Sequence, residues 1–91
     1  MASNFSIHHL VKNGTLYMDL NGDFDGSSAM ELLNELVIRR VNVEKIFVNT
    51  DNVKAIHAFG KAVFTGHFSP HHVRSAGIVF TGSNRTEFIG P

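Results

Sequence analysis

The 91 residues, 43% of them hydrophobic and 18% charged, suffice for one domain with one core, and a chain of this size buries about two-thirds of the surface its unfolded form exposes. With no cysteine, disulfide frameworks, thiolate nucleophiles and sulfur-rich zinc sites are excluded together. Eight basic residues balance eight acidic ones and only Arg39-Arg40 forms a basic pair, so no stripe exists to neutralise a phosphate backbone and no nucleic-acid partner is expected.

No apolar run approaches the roughly 20 residues of a membrane span, so no membrane partner is expected. Met1-Ala2-Ser3-Asn4-Phe5 lacks the basic start and apolar stretch of a secretory signal, which makes the cytoplasm the expected location. The six histidines make the net charge sensitive to pH just below neutrality.

In chain order, Phe5, Ile7, His9 and Val11 alternate with Ser6, His8 and Leu10, and beyond Asn13-Gly14 the residues Leu16, Met18 and Leu20 alternate with Tyr17 and Asp19. Asn-Gly accepts the positive φ angles of a two-residue hairpin turn, so two antiparallel strands are predicted. Asn21 to Gly26 then reads as a turn. Ser28-Ala29-Met30-Glu31 matches a capping box, which predicts a helix starting near Ser28. Ala29, Leu32, Leu33, Leu36 and Val37 recur at helical spacing, and Arg39-Arg40 suit the negative end of the helix dipole.

Ile46-Phe47-Val48 is short, continuous and apolar, the pattern of a central strand buried on both faces and parallel to the second strand. A helix follows from Ala58 to about Gly66, with Phe59, Ala62 and Val63 as its apolar stripe. Ser69-Pro70 suits a helix start, giving one or two turns over 70–74. Ala76-Gly77-Ile78-Val79-Phe80 repeats the buried-strand signature, and the run from Ser83 to Ile89 begins a last helix that Gly90-Pro91 cuts short. The expected architecture is α/β, a four-stranded mixed sheet with two main helices on one face. Two helices leave the other face of apolar central strands bare, which predicts a homodimer or a docked protein on it.

In this order the elements resemble a STAS domain, the module of anti-sigma-factor antagonists and of the cytoplasmic part of sulfate transporters. The likeness covers roughly residues 15–82 within a single domain over 1–91. It rests on three stretches: Leu16 to Asp25, like the family's strand ending in Gly and a turn Asp; Ile46-Phe47-Val48-Asn49-Thr50, like its central strand; and Ile56-His57-Ala58-Phe59-Gly60, where the family has an Asp-Ser pair followed closely by Gly. The resemblance implies a non-enzymatic interaction module with a kinase-like or sigma-regulatory protein partner. The family's switch serine gains about two negative charges on phosphorylation. Here Ala58 has no hydroxyl and His57 replaces the Asp, so the usual serine switch is not expected.

Ligands and partners in such sheets meet the carboxyl ends of adjacent parallel strands. Partner contacts are therefore expected from the loop at 23–27, with Asp23, Asp25 and Ser27, and from the loop and helix start at 52–61, with Asn52, His57, Ala58, Phe59 and Lys61. Two alternatives belong to other classes. His57 just before a helix has backbone donors and the dipole's positive end beside it, a setting for phosphate or another small ligand, with Thr50 at the end of the central strand nearby. His67, His71 and His72 offer imidazoles to a metal, yet adjacent His71 and His72 would diverge by about 100 degrees around a helix and match no zinc spacing. His8 and His9 are strand neighbours and face opposite ways. No Ser-His-Asp order, glycine-rich phosphate loop or supported carboxylate pair is present, so no cofactor and no enzyme activity are expected.

Overall fold

The computed structural model describes residues 4–68 and 77–89. Its strands are β1 (Ser6–Lys12), β2 (Thr15–Phe24), β3 (Lys45–Ile56) and β4 (Ile78–Thr81), and its helices are α1 (Gly26–Arg39), α2 (Ala58–His67) and α3 (Arg85–Ile89). A single helical turn, Arg40–Asn42, continues α1. The sheet runs β1-β2-β3-β4, with β1 antiparallel to β2 and the other two pairings parallel. The four-stranded mixed sheet is thus as expected, with the short α3 added to the two main helices.

Asn13 and Gly14 both have positive φ, 53° and 78°, which matches the twist of the hairpin they close. Strand periodicity then sorts β2 cleanly. Leu16, Met18 and Leu20 are buried with Ile46, Val48, Ile78 and Phe80, while Tyr17 and Asp19 are exposed. Ala29, Leu32, Leu33 and Leu36 of α1 cover this face. Four phenylalanines close the other half of the core: Phe24 meets Phe88 edge-on at 4.9 Å, Phe64 meets Phe80 at 5.6 Å, and Phe80 stacks on Phe88 at 5.0 Å. Rings at these separations add to what their area burial contributes.

Both central strands run further than their apolar residues suggest. The stretches at Asn21-Gly22-Asp23 and Asp51-Asn52-Val53, expected as turn and loop, are strand. Asp19 pairs with Asn49 but Asn21 with Asn52, and Gly22 pairs with Val53 but Asp23 with Ala55, so β3 holds one extra residue at each of two bulges. A bulge lets the ladder pass polar residues while bending the strand.

The α1 start is also corrected. Asp25 is the N-cap, with extended φ −112° and ψ −167°, and Ser28 lies inside the helix. An Asp carboxylate three residues before a free backbone N–H is as good an acceptor as the serine hydroxyl, and it wins because the chain leaves the sheet only after Phe24. Val37 and Phe59 are 53% and 73% exposed, and Ala62 is exposed too; α2 buries Gly60 and Phe64 instead. A ten-residue helix allows more than one apolar phase, and its contacts select one. The end of α2 is His67, one residue past Gly66. The helix expected at 70–74 lies outside the described residues.

The second sheet face is open. Phe47 is only half-buried and Val79 is exposed, together with Leu10 and Tyr17. The expectation that the central strands are buried on both faces therefore fails within one chain, because α1, α2 and α3 share the opposite side.

Candidate partner-docking surface

The β2–α1 junction is built around Asp25. Its Oδ1 accepts from the Ser28 backbone N–H at 2.9 Å, from Ser28 Oγ at 2.9 Å and from Ser27 Oγ at 3.1 Å. The backbone hydrogen bond from Ser28, above all, holds its carboxyl below the ordinary value; desolvation opposes it, and the hydroxyls of Ser28 and Ser27 and the chain's amino terminus add to the lowering. Ser28 Oγ also lies 3.0 Å from the Asp23 carbonyl, so its single proton is shared between two acceptors. Asp23 itself accepts from Asn4 Nδ2 at 3.3 Å.

The β3–α2 junction lies against this one. The His57 N–H donates to the Phe24 carbonyl at 2.9 Å, and the His57 carbonyl accepts from Lys61 N–H at 3.0 Å. Two glycines permit the approach. A Cβ on Gly60 would lie 2.6 Å from the Asp25 carbonyl carbon and oxygen, and one on Gly26 would lie 2.8 Å from two ring carbons of Phe59. The clash at Gly60 is with backbone, which cannot swing aside, so that position needs glycine for close packing, whereas at Gly26 the exposed Phe59 ring would have to move. Phe59 consequently rests on Gly26 with most of its ring in solvent.

His57, Ala58 and Phe59 are exposed side by side, and Ser27 is exposed across the junction. Asp23, Asp25, Ser27, His57, Ala58 and Phe59 are thus brought to one end of the sheet. His57 is the N-cap of α2, and its ring makes no capping hydrogen bond. Lys61 Nζ is 3.1 Å from Glu87 Oε1, an exposed pair that ties α2 to α3.

Two expected residues stand apart. Asn52 lies in β3 four residues before Ile56, about 13 Å along the strand. It lines an open polar groove of about 450 Å³ with Asn4, Asn21, Gly22, Asp51, Val53 and Lys54. That groove lies at the bulges, where Gly22 adopts a φ of 98° within the strand. Thr50 is fully buried. Its Oγ1 donates to the Thr81 carbonyl at 2.7 Å and accepts from Asn84 N–H at 3.1 Å, while Asn84 Nδ2 donates to the carbonyls of Thr50 and Val53. Thr50 is a clamp between β3, β4 and the turn before α3, and its hydroxyl is not available to a ligand. Asn84, half-buried at the centre of this clamp, was not singled out in the sequence.

Among the described residues no three His, Asp or Glu side chains come together as metal ligands. His67 Nδ1 lies 2.9 Å from the Val63 carbonyl of its own helix, and His71 and His72 lie outside the described residues. No helix among the described residues is long and apolar enough to cross a membrane.

No protein-family profile matches this chain, and no curated protein matches it in sequence. Solved structures do match. A crystal structure of Mglu superimposes with a TM-score of 0.65 at 14% identity, over 84% of this chain and 19% of that one. The anti-sigma factor antagonist SpoIIAA in its unphosphorylated form superimposes with a TM-score of 0.58 at 16% identity, over 84% of this chain and 70% of that one. The chain therefore spans under a fifth of Mglu. At these identities the likeness is one of fold, and the fold is the STAS-like one expected from the order of elements.

Proposed function

We propose that this chain is a non-enzymatic, STAS-like regulatory module of the cytoplasm that binds a protein partner through the end of the sheet carrying Phe59, without a serine-phosphorylation switch. The observation that carries the reading is Phe59, 73% exposed at the start of α2 with its ring lying over Gly26. A large aromatic with two side-chain torsions loses little freedom on docking, and aromatic residues are enriched at the core of protein interfaces. Around it the surface is small and polar, with Ala58, His57, Ser27 and Asp23 as a rim. The similarity of fold to an anti-sigma factor antagonist supports a protein of regulatory type, kinase-like or sigma-regulatory, as the partner.

Ala58 occupies the position where the resembling family carries its switch serine, so docking here is controlled by partner abundance rather than by modification at that residue. Capture on immobilised wild-type protein, followed by titration of each purified candidate, tests the reading. A true partner binds wild type directly and loses at least about tenfold in affinity to Phe59→Asp. Equal binding by the two proteins, both folded by circular dichroism, overturns the assignment. Incubation with the captured partner and ATP should leave the mass of the chain unchanged, and a phosphate added to Ser27 or another hydroxyl would overturn the absence of a switch.

A further inference from the structure

The open face of the sheet has an order that its exposure alone does not convey. Cross-strand register places Leu10, Tyr17, Phe47 and Val79 in one row across all four strands. Tyr17 and Phe47 stack at 5.5 Å with ring planes 13° apart, and Lys45 Nζ lies 5.8 Å from the Phe47 ring centre. Two residues along each strand on one side of this row stand Lys12, Thr15 and Lys45; two residues along on the other side stand His8, Asp19, Asn49 and Thr81. A two-residue step is about 6.8 Å in both directions. Charge is thus of opposite sign on the two sides of the apolar row, lysines at one end and Asp19 at the other. Lys12, Lys45 and Asp19 take part in none of the ion pairs formed among the described residues.

We infer that two copies of the chain associate face to face through this surface, related by a two-fold axis that runs along the Leu10–Tyr17–Phe47–Val79 row. That operation lays each apolar row on its counterpart and turns the partner's strands end for end. The lysine end of one copy then covers the Asp19 end of the other, and the same contact forms twice, as a two-fold interface requires. Lys45 faces the partner's Asn49, one strand spacing of about 4.8 Å from Asp19 and within reach of its flexible stem. Other two-fold placements are poorer: an axis along the strands sets lysine end on lysine end. The packing distance is that of a β-sandwich, with side chains of the two faces interdigitating about 10 Å apart.

Four strands and five residues along each span about 19 by 17 Å, less than the roughly 800 Å² per partner of a standard interface. The dimer is accordingly a weak, reversible one, with a dissociation constant of about 10–100 μM. This surface is separate from the one around Phe59, so the dimer leaves the proposed partner site free.

Sedimentation velocity of the purified chain from about 5 to about 500 μM tests the inference. Wild type should pass from monomer to dimer across that range. Asp19→Lys and Lys45→Asp should each raise the dissociation constant by at least about tenfold, and the double exchange should bring it back toward wild type. Phe59→Asp should leave the association unchanged, which separates this result from the partner-binding reading. All three substituted side chains, Asp19, Lys45 and Phe59, are exposed, and circular dichroism reports whether each variant is folded. A wild type that stays monomeric overturns the inference. So does a dimer untouched by both single changes, which would place the contact elsewhere, such as on the exposed Met30, Val37 and Ile38 of α1 and Val41 of the turn that continues it. So does a folded double exchange that remains a monomer, or a monomer that takes up an amphipathic peptide on this face.

Discussion

Gly60 packs so closely against Asp25 that a single added carbon on Gly60 would lie 2.6 Å from the Asp25 carbonyl. The start of α2 is therefore located by the backbone of the β2–α1 junction, and the exposed residues of both junctions share one end of the sheet.

Gly60→Ala should push α2 off that junction. Alanine is intrinsically the better helix residue by about 1 kcal/mol, but the overlap is with backbone, which cannot swing aside, and overpacking of this kind costs about 1–3 kcal/mol. A net loss of stability is expected, read as a fall of several degrees in melting temperature, with weaker partner binding than any change in Phe59 packing alone would produce. A variant more stable than wild type would show that the junction yields.

Asp25 gives a pH dependence with a defined sign. Its carboxyl is held below the ordinary value of 3.8 in the folded chain, so the folded form binds that proton less tightly than the unfolded one. The contribution is present in full above the unfolded value and is lost as pH falls through the folded one. Asp25→Asn keeps a capping acceptor but cannot titrate. Denaturant melts at neutral pH should show the Asn variant close to wild type, and between about pH 5 and pH 2 its stability should fall less steeply. Parallel curves for the two proteins would contradict this.

Thr50 should matter for stability and not for ligands. Thr50→Val conserves shape but leaves the Asn84 N–H and the Thr81 carbonyl without their partner, at a cost of about 1–3 kcal/mol. Thr50→Ser retains the hydroxyl and should lose less. Chemical denaturation of the two variants orders them. Calorimetric titration with phosphate should be indistinguishable between wild type and Thr50→Val under conditions where both are folded.

Two phenylalanines of the same helix should separate core from surface. Phe64 is fully buried against Phe24, Phe80 and Phe88, and Phe64→Ala should cost about 3–5 kcal/mol. That is a large part of the roughly 5–14 kcal/mol that holds a domain of this size. Phe59→Ala should stay within about 1 kcal/mol of wild type yet weaken partner binding. Thermal melts of both variants make the comparison.

Local chemistry determined a large share of this protein by itself. Asn13-Gly14 names its own turn, alternation from Leu16 to Leu20 names the strand and its buried side, and the spacing of Ala29, Leu32, Leu33 and Leu36 names the helix that covers it. These features depend on neighbours a few residues away, which is why they are legible in a linear chain. The tertiary structure decided what depends on partners far off in sequence. Strands β2 and β3 continue through Asn21 and Asn52 because each supplies the other's ladder across two bulges. Asp25 displaced Ser28 as the cap because pairing with β3 holds the chain in the sheet as far as Phe24. Thr50, a plain strand-end hydroxyl in sequence, became a buried clamp only when Thr81 and Asn84 arrived beside it. Phe59 went to the surface because Gly26 and Gly60 brought two junctions together and turned α2 to bury Phe64, a choice between two apolar phases of a short helix that only contact with the rest of the fold can make.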